Sequence, residues 1–328
     1  AWLALWLERL GAEVFGLALP PATQPNLFEL AQVDKGMESH FVDLRDATAV
    51  SHAVRDFAPQ IVFHLAAQAL VRAGYRDPVG TFATNVMGTV HLLEALRGTD
   101  SVRGLVAFTT DKVYRNREWP WAYRESDELG GVEPYGASKV GTEQALDAYR
   151  SSYFQGPRRI AVATIRAGNV VGGGDWAADR LVPDAMRAFA AGEALSIRRP
   201  HSVRPWQHVL EAVGAALLLG RLSVEQPELA DQAWNFGPRE EDRQTVGWIA
   251  DRLAAAWPGG SWRHEPDEGG YEAGLLAVSS DKARSLLGWS PRWGVAQAID
   301  NSVAWYRRWH QGEDATALVR EQIGAYRQ

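Results

Sequence analysis

Three short apolar runs constrain this chain more than any other feature: Ile61-Val62-Phe63-His64-Leu65, Leu105-Val106-Ala107-Phe108 and Ile160 to Ile165. Each has the length of a strand and lacks the polar alternation of a half-solvated one, so each belongs to a sheet covered on both faces. Between them lie helix signals. Asp46 stands before Ala47 to Phe57 as an N-cap. Asp77-Pro78 opens a long helix through Leu96, with proline at its favoured first position. A further helix begins at Tyr135 and runs to about Tyr153. Strands alternating with helices predict an α/β chain built on a parallel sheet.

In open α/β sheets ligands gather beyond the carboxyl ends of the strands. Thr109-Thr110-Asp111-Lys112-Val113-Tyr114 occupies that place after Phe108, and Tyr135-Gly136-Ala137-Ser138-Lys139 opens the following helix. Tyr135 and Lys139 are four residues apart and share a helix face. An ammonium beside a phenol favours phenolate and lowers its pKa toward that of a working general base. Tyr-x-x-x-Lys alone is common on ordinary helices; after a strand-end Thr-Asp-Lys it is discriminating.

Composition removes whole classes of function. The net charge of −6 gives no electrostatic footprint for nucleic acid or an anionic membrane surface. There are no cysteines, which excludes disulfides and cysteine-based chemistry and fits a reducing cytoplasm. No apolar run reaches the roughly 18 residues of a membrane span. The fourteen tryptophans read mainly as packing residues, and no metal-ligating cluster is visible.

The two central motifs together resemble the extended short-chain dehydrogenases/reductases, and within them the NAD-dependent nucleotide-sugar 4,6-dehydratases. The likeness spans essentially all 328 residues. The run Arg166-Ala167-Gly168-Asn169-Val170-Val171-Gly172-Gly173-Gly174-Asp175-Trp176 is among its most specific segments and follows the pattern of the members that act on CDP-glucose. The resemblance implies a Rossmann-type doubly wound sheet, NAD as cofactor, a nucleotide-linked hexose as substrate and pairing into a homodimer or higher oligomer. Tyr135, supported by Lys139, would take the C4 hydroxyl proton, and Thr110 would bond the same oxygen. Asp111 would protonate the departing C6 hydroxyl, while Lys112 or a water that it positions would remove the C5 proton. Related dTDP-glucose enzymes carry Glu at the Lys112 position, and a lysine base must first be neutral. Asn85 would bond backbone near the site and order water. The cofactor would rest on Asp43, Leu44, Leu65, Ala66, Ala67 and Gln68, besides Tyr135 and Lys139. On the residues alone, Asp43 reads equally as a loop carboxylate.

Past Asn169 the chain reads as a smaller C-terminal α/β substrate domain, with the first domain at 1–168 and the second, partly interleaved with it, at 169–328. Asn169, Arg180, Arg204 and His208 are its candidate substrate contacts. Arg198, Arg199 and Arg204 form a basic cluster suited to a diphosphate, or else a solvated charge run. Gly172 to Gly174 reads as a tight turn, and His64 as a satisfied core histidine. Tyr271-Glu272-Ala273 departs from the His-Glu-Ala of the family, which puts base contacts there in question.

The beginning is unusual. Trp2 to Leu10 reads as a helix and Ala12 to Leu19 as a strand, without the strand and Gly-rich turn that should precede them in a doubly wound domain. The expectation is that both lie upstream of Ala1, against a genuine non-Rossmann start. Two rival functions stand beside the dehydratase. A nucleotide-sugar 4-epimerase needs Tyr135 and Lys139 but no elimination acid and base; a non-catalytic binding protein needs neither.

Overall fold

Four parallel strands, β3 (Ile61–His64), β4 (Gly104–Phe108), β5 (Ala161–Ala167) and β6 (Ala233–Phe236), pair in the order β6-β5-β4-β3. The structure is a computed structural model that describes residues 1–266 and 273–327. Successive residues of β4 serve opposite faces, as the pleat requires. Leu105 and Ala107 enter a core with Val50 and Val54 of α2 (Ala47–Phe57), Leu92 and Leu96 of α4 (Gly88–Arg97) and Leu146 of α5 (Pro134–Ser152). Val106, with Ala163 and Ile165 of β5, enters another with Ala215, Ala216 and Leu219 of α7 (Val209–Glu225) and Trp234 of β6. Burying each large side chain stabilises the sheet by about 1.5–3 kcal/mol.

β1 (Phe15–Ala18) and β2 (Glu38–Phe41) form a separate parallel pair. Residues of β1 and β3 line a groove of about 1630 Å³, which Leu44, Leu65 and Ala66 also border. β1 is shorter than the strand expected over Ala12 to Leu19, because Ala12 to Val14 make no ladder.

The long helix expected from Asp77 through Leu96 is present, with one turn wound more widely than the rest. It divides into α3 (Pro78–Phe82), a wide π-turn at Ala83–Met87, and α4. The Asn85 carbonyl accepts hydroxyl bonds from Thr89 at 2.6 Å and from Thr142 at 2.8 Å. Two side chains therefore satisfy the backbone group that widening the turn releases.

The remaining chain builds a third core around α6 (Leu181–Ala190), α8 (Val295–His310) and α9 (Ala315–Arg327), against which α1 (Trp2–Arg9) packs Trp2, Leu3, Leu5 and Trp6. Gly173 and Gly174 lie in a tight turn. A Cβ on Gly173 would strike the Trp305 ring, and Gly174 has a φ of +83°, so both positions require glycine. Ten of the fourteen tryptophans lie within or against this core, among them Trp206, Trp293 and Trp305.

A buried carboxylate ties the two ends of the fold together. Glu211 of α7 accepts the Tyr326 hydroxyl at 2.6 Å and the backbone N–H groups of Arg292 and Trp293 at 3.0 and 2.8 Å. Burial pushes its pKa up, against these donors. Tyr326→Phe removes one donor and leaves that carboxylate less satisfied, so unfolding in urea should show a loss of about 1–3 kcal/mol. An unchanged midpoint would show that the other donors suffice.

Candidate active site

α5 begins where Glu133 caps it. The Glu133 carboxylate accepts the backbone N–H groups of Tyr135 and Gly136, both at 2.8 Å, and Pro134 occupies the first turn. An acidic cap satisfies two orphan donors and complements the helix dipole. The cap therefore fixes the first turn of the helix, and with it Tyr135. Ser138 reinforces the arrangement: it donates to the Tyr135 carbonyl at 2.7 Å and receives Asn85 Nδ2 at 2.8 Å.

The second wall is the turn after β4. Thr110 caps a short 3₁₀ turn at Asp111–Val113, and its hydroxyl donates to Asp111 Oδ1 at 3.0 Å. The Tyr135 phenol also hydrogen-bonds the Thr110 side chain. Asp111 is only 2% exposed, and its Oδ2 is buried without a hydrogen-bond partner. Burial is the main force pushing the Asp111 pKa up, while Lys112, the Thr110 bond and Arg204 pull it down. A carboxyl so placed favours its protonated form and suits proton donation.

The expectation that Lys139 lowers the Tyr135 pKa is corrected. Burial pushes Tyr135 up to about 12; the Thr110 bond and, from a distance, Arg180 oppose this, while Asp111 and Glu133 add to it. Lys139 points its ammonium at the Phe108 carbonyl, at 3.0 Å, and burial lowers its own pKa to about 8 against the pull of Glu143. The four-residue spacing places the two groups on one helix face without making the lysine the phenol's leading counter-charge.

Asn85 sits in the π-turn, and its amide clasps the backbone of Gln68: Oδ1 accepts Gln68 N–H at 2.8 Å and Nδ2 donates to Gln68 O at 3.0 Å. The Gln68 side chain is itself committed, donating to Thr81 at 2.9 Å and accepting Leu70 N–H at 2.6 Å. The clasp holds the segment that leaves β3. There Leu65 is 46% exposed beside the small Ala66 and Ala67, at the same end of the sheet as Tyr135 and Lys139. Buried Leu44 lines the groove with Leu65 and Ala66, and its carbonyl bonds His91, whereas the Asp43 carboxylate holds the Arg45 guanidinium at 2.6–3.0 Å. Apolar surface and small side chains along strand ends suit a flat, extended ligand. His64 is buried, bonded to Thr89 at 2.9 Å and kept neutral by burial, with its pKa lowered to about 3.

The expected substrate residues separate. Arg180 stands just before α6, pairs with Asp175 at 3.2 Å and acts on Tyr135. Arg204 is 3% exposed, donates to the Ala273 and Val203 carbonyls and acts on Asp111. It thus belongs to the interior wall of the site and not to an exposed basic cluster with Arg198 and Arg199. The Asn169 carbonyl receives Gln207 N–H at 3.0 Å. His208 is corrected: it is fully buried, its ring lies between Trp2 and Trp293, and its Nδ1 caps α7 through Leu210 N–H. It is a packing and capping residue, not a substrate contact. Tyr271 and Glu272 lie outside the described residues, among which no three His, Asp or Glu side chains gather as metal ligands.

Reading the sequence missed the roles of Glu133, Ser138 and Thr142. An acidic residue followed by proline before a helix was a legible cap signal for the first. The other two meet Asn85 of the π-turn, Ser138 accepting its side-chain amide and Thr142 donating to its carbonyl, and only the packed fold brings that turn to them.

Residues 2–236 match the profile of the NAD dependent epimerase/dehydratase family. The chain is 42% identical over 331 residues to the CDP-glucose 4,6-dehydratase of Salmonella typhimurium, covering 99% of this chain and 92% of that protein. It is 27% identical to a dTDP-glucose 4,6-dehydratase of Xanthomonas campestris, with 92% and 89% covered. Among solved structures, the UDP-glucose 4-epimerase of Thermus thermophilus in complex with NAD superposes with a TM-score of 0.79 at 26% identity, over 93% of this chain and 94% of that one.

Arg180 favours the Tyr135 phenolate, so removing its charge raises the pKa of the phenol. If turnover requires phenolate, activity is lost as pH falls through that pKa. Arg180→Gln should therefore move the acidic limb of the kcat/KM profile to higher pH, and an unmoved limb would remove Arg180 from the electrostatics of the base.

Proposed function

Because the chain belongs to the NAD-dependent epimerase/dehydratase family, we propose that it is a dehydratase that converts CDP-glucose to CDP-4-keto-6-deoxyglucose. The observation that carries dehydration rather than epimerisation is Asp111, a buried carboxyl with a raised pKa that shares Thr110 with Tyr135. Inverting C4 needs no such acid. Likeness to the Salmonella typhimurium enzyme supports the nucleotide.

NAD, when bound, supplies the acceptor and then the donor of a hydride. Leu44, Leu65, Ala66 and Ala67 would hold it, with Asp43 and the Gln68 backbone at the rim and Tyr135 and Lys139 at the reacting end. The exposed Leu65 and the small residues beside it fit that group. Tyr135 takes the proton of the C4 hydroxyl, and Thr110, which favours the phenolate, would bond the same sugar oxygen. Once C4 is a ketone, the C5 hydrogen is alpha to a carbonyl and becomes acidic. Lys112, or a water that it positions, removes it. Asp111 gives its proton to the C6 hydroxyl, which departs as water. Asn85 holds the strand-end loop, and Asn169, Arg180 and Arg204 face the nucleotide diphosphate side. The first 168 residues form the cofactor domain and residues 169–328 the nucleotide-sugar domain, interleaved where β6 joins β5.

We place the enzyme in the cytoplasm, a reading supported by the absence of cysteine; no helix among the described residues is long and apolar enough to cross a membrane. It works as a homodimer. Tyr75, Val79, Phe82 and Met87, on and beside α3 and the π-turn, are all exposed, Val79 by 79%, a concentration of apolar surface that a second copy would cover. Val79→Arg should yield a monomer by light scattering; an unchanged mass would place the interface elsewhere.

Incubation with CDP-glucose should give a 4-keto-6-deoxy product absorbing in alkali. Formation of only a C4 epimer, or no reaction with enzyme and NAD at saturation, would overturn the reading. Tyr135→Phe and Asp111→Asn should each cut product formation by about two to four orders of magnitude, with CDP-glucose binding by calorimetry retained. Near-normal turnover by either folded variant would remove that residue from the mechanism.

A further inference from the structure

The proton transfers above leave unused the most buried ion pair near the site. Glu143 lies four residues beyond Lys139 and eight beyond Tyr135, on the same face of α5, and is 1% exposed. Its Oε1 accepts the Thr109 hydroxyl at 2.6 Å and Arg166 Nε at 2.9 Å, and its Oε2 accepts a second Arg166 nitrogen at 3.0 Å. Arg166, at the end of β5, is 4% exposed and also donates to the Tyr114 hydroxyl and the Glu125 carbonyl, both at 3.0 Å.

The surroundings of Lys139 show what this pair does. Its ammonium is buried and donates one hydrogen bond, to the carbonyl of Phe108, the residue before Thr109. The titratable groups packed near it are few. His64 on β3 is neutral. Asp111 and Lys112, on the turn after β4, act on each other. Tyr135, on the same helix, is held as a phenol by burial. Arg166 on β5 is committed to Glu143. Glu143 alone opposes the desolvation of the ammonium. The same carboxylate holds Thr109, and so fixes the strand end from which Thr110 and Asp111 project.

We propose that Glu143 is a positioning residue that keeps Lys139 charged in a dry interior and, through Thr109, registers α5 against the end of β4. Arg166 pairs with Glu143 through both carboxylate oxygens and fixes its direction, so that the carboxylate reaches both neighbours. The proposal concerns these side chains themselves; only its consequence for turnover rests on the dehydratase reading.

The chain has only four lysines, Lys35, Lys112, Lys139 and Lys282, so the side-chain nitrogen of Lys139 can be followed by NMR in ¹⁵N-lysine-labelled protein. Wild type should titrate at Lys139 near 8. Glu143→Gln alone leaves Arg166 buried without a counter-charge and is liable to misfold, so the decisive variant is Glu143→Gln combined with Arg166→Met. There the titration should fall by about one pH unit or more, while Glu143→Asp, which keeps the charge, should retain most of the wild-type value. With CDP-glucose, the break of the kcat profile at the Lys139 pKa should move down in the double variant by the same amount, since activity that needs the ammonium is lost as pH rises through it. A simple loss of packing would lower the rate at every pH without moving that break. An unmoved Lys139 titration in the folded double variant overturns the proposal. If the titration moves while wild type does not dehydrate CDP-glucose, the proposal stands and the assigned reaction falls.

Discussion

A carboxylate and a guanidinium buried side by side cost several kcal/mol each in lost hydration, a cost their mutual attraction offsets only with good geometry and full hydrogen bonding. Glu143 and Arg166 meet that condition: two paired contacts join them at 2.9 and 3.0 Å, and Thr109, Tyr114 and Glu125 supply further partners. The Tyr114 hydroxyl continues to Asn235 of β6 at 2.7 Å, and the Asn235 side chain reaches the Tyr123 carbonyl at 2.9 Å. One polar network therefore joins β4, β5, β6, α5 and the loop between Tyr114 and Pro134. Breaking one member would leave an uncompensated buried charge, typically about 3–5 kcal/mol.

Burial shifts the two proposed proton-transfer groups the same way, with opposite consequences for the task proposed for each. It favours the neutral forms of both Asp111 and Tyr135. For an acid that must deliver a proton this is the useful direction. For a base it is the wrong one, and the Thr110 bond and the Arg180 charge are the features that work against it. In the proposed reaction, two groups in one dry pocket would take opposite tasks according to the polar partners each is given.

Much of this was legible in the chain. Apolar runs at Leu105 and Ile160 became the buried β4 and β5, since such strands need apolar residues on both faces, whereas the run at Ile61 became β3, which ends the sheet and is only partly buried. Asp46 caps α2, and Pro134 opens α5. His64 is a satisfied core histidine bonded to Thr89, and Thr110, Asp111 and Tyr135 do come together. Two expectations meet the same obstacle: the His208 ring, a candidate substrate contact, is claimed by tryptophans, and the Lys139 ammonium, expected to act on the phenol, by a backbone carbonyl. Nor could local propensity reveal the π-turn at Ala83–Met87, because Thr142, on another helix, helps to hold it.

By itself the sequence determined the α/β class, the strand ends at which chemistry gathers, and the residue types able to move protons there. Those properties reside in short-range pattern: apolar runs of strand length, a four-residue helical repeat, and caps encoded beside their helices. Tertiary structure alone decided which of those groups meet and in what protonation state. A pKa depends on burial and on partners such as Arg180 and Glu143, whose nearness to Tyr135 and Lys139 exists only once α5, α6 and β4 have packed together.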